Sequence, residues 1–154
     1  TAPEPVEVEV VIEIPRGNFL KRGSNGHVDF ISPLPCPFNY GSVPEFLGLD
    51  GDLLDALVLG PRLLLGTRIR VKAWGAVMLT DRGMTDDKLI CCERSPTLRE
   101  REDVLRFFRF YAKCKELLNI GVVDLGAMLV MVGAMPLKRL LAPDREMIVE
   151  GITH

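Results

Sequence analysis

The stretch Val6-Glu7-Val8-Glu9-Val10-Val11-Ile12-Glu13-Ile14 alternates apolar and acidic residues almost strictly. That two-residue period is the mark of a half-buried β-strand, with valines inward and glutamates in water. Pro15 and Gly17 end it. The pattern returns from Arg68 to Met78, where Ile69, Val71, Ala73, Gly75 and Val77 share one face. Leu53 to Leu59 reads as a buried strand carrying Asp55, closed by Gly60-Pro61, and Lys88 to Cys92 as another. Between Arg22 and Tyr40 proline and glycine predict loop, with one short strand around His27 to Ile31.

From Pro96 the period changes. Ser95 or Thr97 can cap a helix whose apolar positions Val104, Phe107, Phe108, Tyr111, Leu117 and Leu118 recur at three-and-four spacing as far as Asn119. Phe107, Phe108 and Phe110 are expected in the core, and a second helix is expected from Asp124 to Met135. Strands first and helices last define an α+β chain, mainly β: a small barrel or curved sheet with helices on it.

The whole fits one domain over 1–154, with 1–5 as a loose tail. A chain of 154 residues buries roughly 70% of its unfolded surface, enough for a core without staples. Hydrophobic residues at 47% and charged residues at 26% argue against disorder and coiled coil. Cys36, Cys91, Cys92 and Cys114 match no zinc spacing and read as free thiols of a reducing compartment. No secretory signal pattern is visible, and the apolar run Leu125–Leu137 is too short to span a bilayer, so the expected location is cytoplasmic. A formal charge of −2 provides no general attraction to nucleic acid or to an anionic membrane.

Chemistry concentrates in Asp50-Gly51-Asp52-Leu53-Leu54-Asp55. Two carboxylates about 4 Å apart repel by about 4 kcal/mol at an effective dielectric of about 20, so such a cluster is stable when a cation sits in it. An all-oxygen set suits a hard ion, Mg²⁺ before Zn²⁺. The plain reading is a solvated turn with Asp55 at a strand edge. A second acidic turn carries Asp81, Asp86 and Asp87, followed at once by Lys88, at the tip of an expected hairpin. If the two tips converge, the carboxylates of both turns and a lysine line one cleft, as a multi-metal phosphoryl-transfer site requires. No EF-hand or Walker loop is present.

Five blocks stand in order: Glu13-Ile14-Pro15; Asn39-Tyr40-Gly41; Asp50 to Asp55; Thr80-Asp81 with Asp86 and Lys88; and Phe107-Phe108-Arg109-Phe110-Tyr111. Together they resemble the soluble (family I) inorganic pyrophosphatases, with this chain a divergent member. The resemblance covers about residues 8–115. It implies a five-stranded OB-like closed barrel flanked by C-terminal helices, and Mg²⁺-dependent hydrolysis of pyrophosphate to two orthophosphates. Several Mg²⁺ ions are implied, with Mn²⁺ or Zn²⁺ as substitutes, and so is a homo-oligomer, hexamer or dimer. Nucleic acid and membrane are not expected partners.

Carried across by position, Asp50, Asp55, Asp81 and Asp86 resemble metal ligands, and Glu13 a holder of metal-bound waters. Asp52 resembles the carboxylate that takes a proton from the attacking water. Lys21, Lys88 and Tyr111 resemble phosphate-binding groups, and Tyr40 a wall of the same pocket. The departures are equally specific. Gly23 stands where a metal-serving glutamate is expected, and Val28, Asp29 and Phe30 where a phosphate-clamping arginine belongs. Cys36-Pro37 replaces a Tyr-Pro pair, and Ala112 a lysine. Arg16, Arg22 and Lys113 are the candidate substitutes. The alternatives are a non-catalytic or substrate-shifted paralogue that keeps fold and metal site, and an OB-like nucleic-acid module, which the charge and the acidic tips disfavour.

Overall fold

The computed structural model describes residues 4–24, 27–48, 51–81, 83–118, 123–131, 133–141 and 149–150. In chain order the elements are β1 (Val6–Ile14), β2 (Phe19–Ser24), β3 (His27–Pro35), β4 (Asn39–Leu47), β5 (Leu53–Val58), β6 (Arg68–Asp81), β7 (Met84–Thr85), β8 (Lys88–Cys92), α1 (Leu98–Leu117), β9 (Val123–Val130), α2 (Met135–Leu140) and β10 (Val149–Glu150). Strands pair in the order β1-β4-β5-β8-β6, and β6 pairs back onto β1, so five strands close into a barrel. Closure leaves none of these five as a free edge over its paired length. All neighbours are antiparallel except β5 and β8, which run parallel with Asp55 opposite Lys88.

Strand alternation separates two apolar clusters. Val8, Val10, Ile12, Val43, Leu54, Ala56, Val71, Ala73, Leu89 and Cys91 fill the barrel interior. Tyr40, Leu57, Val77, Leu79, Ile90 and Cys92 point the other way and are covered by Val104, Leu105, Phe107, Phe108, Tyr111 and Ala112 of α1. Cys91 and Cys92 thus face opposite sides, and all four cysteines are free. A fully buried Leu or Phe of this kind contributes roughly 1.5–3 kcal/mol. Phe38 is wholly buried between Phe107 (centroids 5.3 Å apart, edge-on) and Phe108 (5.7 Å, stacked). Thr97 caps α1 through a reciprocal pair: its hydroxyl accepts from the Glu100 N–H at 3.1 Å, and its own N–H donates to the Glu100 carboxylate at 2.9 Å.

Three expectations need correction. The helix expected over Asp124–Met135 is strand β9 for most of its length, and only the short α2 follows. The reason is non-local: β1 covers β6 only over Arg68–Ala73, and β9 pairs along the remaining edge from Gly75 to Asp81. The short strand expected around His27 to Ile31 is the start of β3, but what was expected as loop around it belongs to the hairpin of β2 and β3, a separate two-stranded sheet where a proline removes little hydrogen bonding, and to the start of β4. Phe110 is 43% exposed, and Leu117 and Leu118 are exposed as well, because they fall on the outer side of α1. The tail expected over 1–5 lies mostly outside the described residues.

Candidate functional site

The residues of the block Asn39-Tyr40-Gly41-Ser42 serve the fold and the site in different ways. Asn39 is fully buried, and its amide makes four bonds: Oδ1 accepts from the N–H of Arg16 (2.9 Å) and of Leu63 (2.8 Å), while Nδ2 donates to the carbonyls of Val58 (3.2 Å) and Pro61 (2.9 Å). It staples the end of β1 to the loop after β5. Gly41 permits a close approach, since a Cβ there would stand 2.1 Å from the Val11 carbonyl oxygen. Tyr40 and Ser42 lie on the outer face of the barrel, two residues apart.

Beside them β1 carries a bulge: Ile12 pairs with Gly41 and Ile14 with Tyr40, leaving Glu13 as the extra residue. Bulges of this kind re-aim a side chain beside a site. The Ser42 hydroxyl donates to Glu13 Oε2 at 3.4 Å. Burial, then the charge of Asp55, raise the Glu13 pKa, and the Ser42 hydrogen bond partly offsets both.

Register then continues the row across the sheet: Ser42 opposite Asp55, Asp55 opposite Lys88, Lys88 opposite Val77. Lys88 is 2% exposed, and its ammonium donates to Asp55 Oδ2 at 3.0 Å, to Asp86 Oδ2 at 3.2 Å and to the Tyr40 hydroxyl at 3.0 Å. It also stands 5.2 Å from the centre of the Tyr40 ring. The turn that carries Asp86 is pinned on both sides of Leu79: the Asp86 N–H donates to the Leu79 carbonyl at 2.9 Å, and the Leu79 N–H donates to Asp87 Oδ1 at 3.2 Å. Asp87 therefore serves the turn, and Asp86 the site.

Asp52 stands exposed at the tip between β4 and β5, where the Gly48 N–H donates to its carbonyl at 2.7 Å and Gly51 has φ +89°. Tyr111 is buried in the same outer cluster as Tyr40. Asp50 lies outside the described residues, as do the side chains of Lys21, Arg22 and Asp81; the backbone of Lys21 runs in β2, and that of Asp81 ends β6 opposite Met84. The sheet thus brings Glu13, Asp55, Asp86, Lys88 and Tyr40 together, with Asp52 nearby in the chain.

The proposed replacement cations fare less well. Arg16 donates to the Gly60 carbonyl at 2.7 Å and so belongs to the loop, while Lys113 faces solvent. One residue beside the acidic row was not among the candidates read from the sequence: Ser42, signalled only by its place two residues after Tyr40. On α1, Lys115 is 4% exposed and its ammonium lies 5.8 Å from the Tyr111 ring centre. Cys36 is buried in the outer cluster, where burial pushes its thiol pKa up to about 12. Such a thiol is inert.

The donor set is oxygen throughout, with Glu13 and Asp55 repelling each other, which fits a hard divalent cation. Among the described residues no three acidic, histidine or cysteine side chains meet closely enough to form a cage by themselves.

The profile of the family described as inorganic pyrophosphatase matches residues 10–120. The chain belongs to that family. An inorganic pyrophosphatase of Saccharolobus solfataricus is 39% identical, over 60% of this chain and 59% of the relative. One of Gluconobacter oxydans is 37% identical, over 56% of this chain and 55% of the relative. The chain thus spans less than two thirds of these relatives' length. The crystal structure of an inorganic pyrophosphatase from Neisseria gonorrhoeae superposes with a TM-score of 0.66 at 25% identity, covering 88% of this chain and 87% of that one. In this barrel the parallel pairing of β5 and β8 sets Asp55 beside Lys88, whose ammonium also reaches Asp86 of the second acidic turn. No helix among the described residues is long and apolar enough to cross a membrane.

Proposed function

We propose that this chain hydrolyses inorganic pyrophosphate to two orthophosphates with Mg²⁺ as cofactor, and that it works as a homo-oligomer. The observation that carries the reading is the Lys88 ammonium held among Asp55, Asp86 and Tyr40 on one row of a pyrophosphatase barrel. Asp50, Asp55, Asp81 and Asp86 would hold the divalent ions, with Glu13 at the margin. When bound, the ions would offset the negative charge of the substrate and make the attacking water more acidic.

The chain's own residues do the rest. Asp52, at the exposed tip, takes the proton of that water. Lys88 supplies a point charge to a phosphoryl oxygen, with Tyr40 and Asp86 fixing the direction of its N–H bonds. Tyr40 and Tyr111 give the pocket an apolar wall that limits water, which strengthens the ionic contacts inside it. Such groups act in place, without reorganising as charge develops on the leaving phosphate.

Release of phosphate from pyrophosphate in Mg²⁺ tests the proposal. Asp52→Asn removes the proton acceptor and lowers kcat by roughly 10²–10⁴. A wild-type protein without turnover, or turnover indifferent to this substitution, would sink it.

A second reading draws on the cleft beyond Glu13, of about 770 Å³, lined by Phe19, Arg62, Leu64 and Leu65. Leu64 is 78% and Leu65 71% exposed, apolar surface for which bare pyrophosphate has no use. An organic diphosphate hydrolysed faster than pyrophosphate would favour that reading.

A further inference from the structure

The cleft beyond Glu13 has two walls, the link between β1 and β2 and the loop that follows β5. Three ties lock them together. The Arg16 guanidinium donates to the Gly60 carbonyl at 2.7 Å, and the Arg62 guanidinium donates back to the Arg16 carbonyl at 3.1 Å. Beneath both, Oδ1 of the buried Asn39 accepts from the Arg16 N–H at 2.9 Å and from the Leu63 N–H at 2.8 Å. The first wall is also held from behind, where the Gly17 N–H donates to the Cys36 carbonyl and the Cys36 N–H to that of Asn18. Walls fixed in this way form a cleft before any ligand arrives, which lowers the ordering cost of binding.

The fixed loop turns apolar side chains outward. Leu63 packs against the barrel interior cluster, while Leu64 and Leu65, next in the chain, are 78% and 71% exposed. Phe19 faces them from the other wall and is 45% exposed. Two leucines held in water forfeit a burial that an apolar occupant would restore. At its opposite end the cleft is bounded by Glu13, which accepts from Ser42, the residue paired with Asp55. The space of about 770 Å³ therefore runs from the acidic row to bare leucine. A nucleoside would bring base and sugar groups against side chains that offer no hydrogen bond, and each would lose its water partner. A hydrocarbon chain has no such groups to satisfy.

We infer that this cleft is the subsite for the hydrocarbon chain of a monoalkyl diphosphate, whose diphosphate lies on the row of Glu13, Asp55 and Lys88. The inference rests on the proposed function for the place of the diphosphate, and it names the organic group that the second reading leaves open. In the reaction, water forms a bond to the terminal phosphorus, and the bond from that phosphorus to the bridging oxygen breaks. The bridging oxygen leaves on the alkyl monophosphate, and Asp52 takes a proton of the water and returns it to solvent. The products are orthophosphate and the alkyl monophosphate, with water as the only co-reactant.

Calorimetry with the full chain in Mg²⁺ tests the subsite, comparing octyl with methyl monophosphate, which have no diphosphate bond to cleave. A methylene moved from water to an apolar wall gains up to about fourfold in affinity, so octyl should bind about tenfold or more tighter than methyl. The double substitution Leu64→Ser with Leu65→Ser should bring that ratio within about threefold. Both positions are exposed, so neither change opens the core. Leu117→Ser, at an equally exposed leucine of α1, should leave the ratio as it is. Phosphate release should show the same preference in kcat/KM for octyl over methyl diphosphate. Equal affinities in the wild type, or an octyl advantage that survives the double substitution, would overturn the inference. So would adenosine diphosphate turned over as well as octyl diphosphate and impaired equally by the double substitution. A double variant with altered oligomer size and an unchanged ratio would overturn it too, marking the leucines as a contact between copies. Pyrophosphate turnover without any octyl advantage overturns the inference and leaves the proposed function standing. An octyl advantage that needs the leucines, in a protein that hydrolyses no diphosphate, does the reverse.

Discussion

The two faces of β8 differ in kind although their residues are neighbours in the chain. Leu89 and Cys91 face the barrel interior among small and branched apolar residues. Lys88 faces outward and ties Asp55, Asp86 and Tyr40 together, while Ile90 and Cys92 continue the same face into the apolar cover under α1. Every residue of this strand is buried, so burial alone does not distinguish them. The interior face holds the barrel together without polar atoms to satisfy. The outer face trades some of that apolar surface for an ion network at one end. The lesson is that a fully buried strand can carry structure on one side and chemistry on the other, provided each ammonium N–H finds an oxygen.

Lys88→Met breaks that contrast most severely. Without the ammonium the anion loses its point charge, and Asp55 and Asp86 face each other without it. Pyrophosphate turnover should fall at least about a hundredfold, with melting temperature changed much less. Loss of the fold with retained specific activity would show the outer face to be structural too. Leu89→Ala is the converse. It opens a cavity inside the barrel and should cost about 2–5 kcal/mol, a drop of roughly 5–15 °C in Tm, while kcat/KM per folded molecule stays within about twofold. A large loss of kcat/KM would mean that the interior packing tunes the outer row.

The smallest effect lies away from both faces, at the start of α1. The Arg94 guanidinium, then the Thr97 N–H, hold Glu100 down to a pKa of about 2. A depressed carboxylate pKa stabilises the fold above its unfolded value near 4.5, and that contribution is lost as pH falls toward 2. Arg94 is largely exposed, so Arg94→Ala should lower Tm only slightly at pH 7. The difference in Tm between the two proteins should shrink as pH drops below about 4.5, and high salt should reduce it. A difference that grows in acid would contradict the assignment.

Much of this was legible because short-range rules suffice for it. Alternation marked β1 and β6, and Ser95 or Thr97 marked the start of α1, where the structure selects Thr97. The order of acidic blocks pointed to the site and the family. The helix expected over Asp124–Met135 failed because local composition carries no information about the open edge of β6. Strand β4 was missed because it is buried on both faces from Asn39 to Val43, which removes the alternation that reveals a strand. Lys113, one of three candidate replacement cations with Arg16 and Arg22, follows Ala112 in sequence, yet a single helical step turns it to solvent.

What the sequence by itself determined, then, is which residues are available: hard oxygen donors in two turns, a lysine after the second, and strands and a helix of readable period. Residue type and local spacing follow from the chain alone. Tertiary structure decided which of them meet. Parallel pairing set Asp55 opposite Lys88, a bulge brought Glu13 to Ser42, and helix phase turned Lys113 to solvent. Each depends on contacts between segments far apart in the chain, where register rather than composition sets the distance.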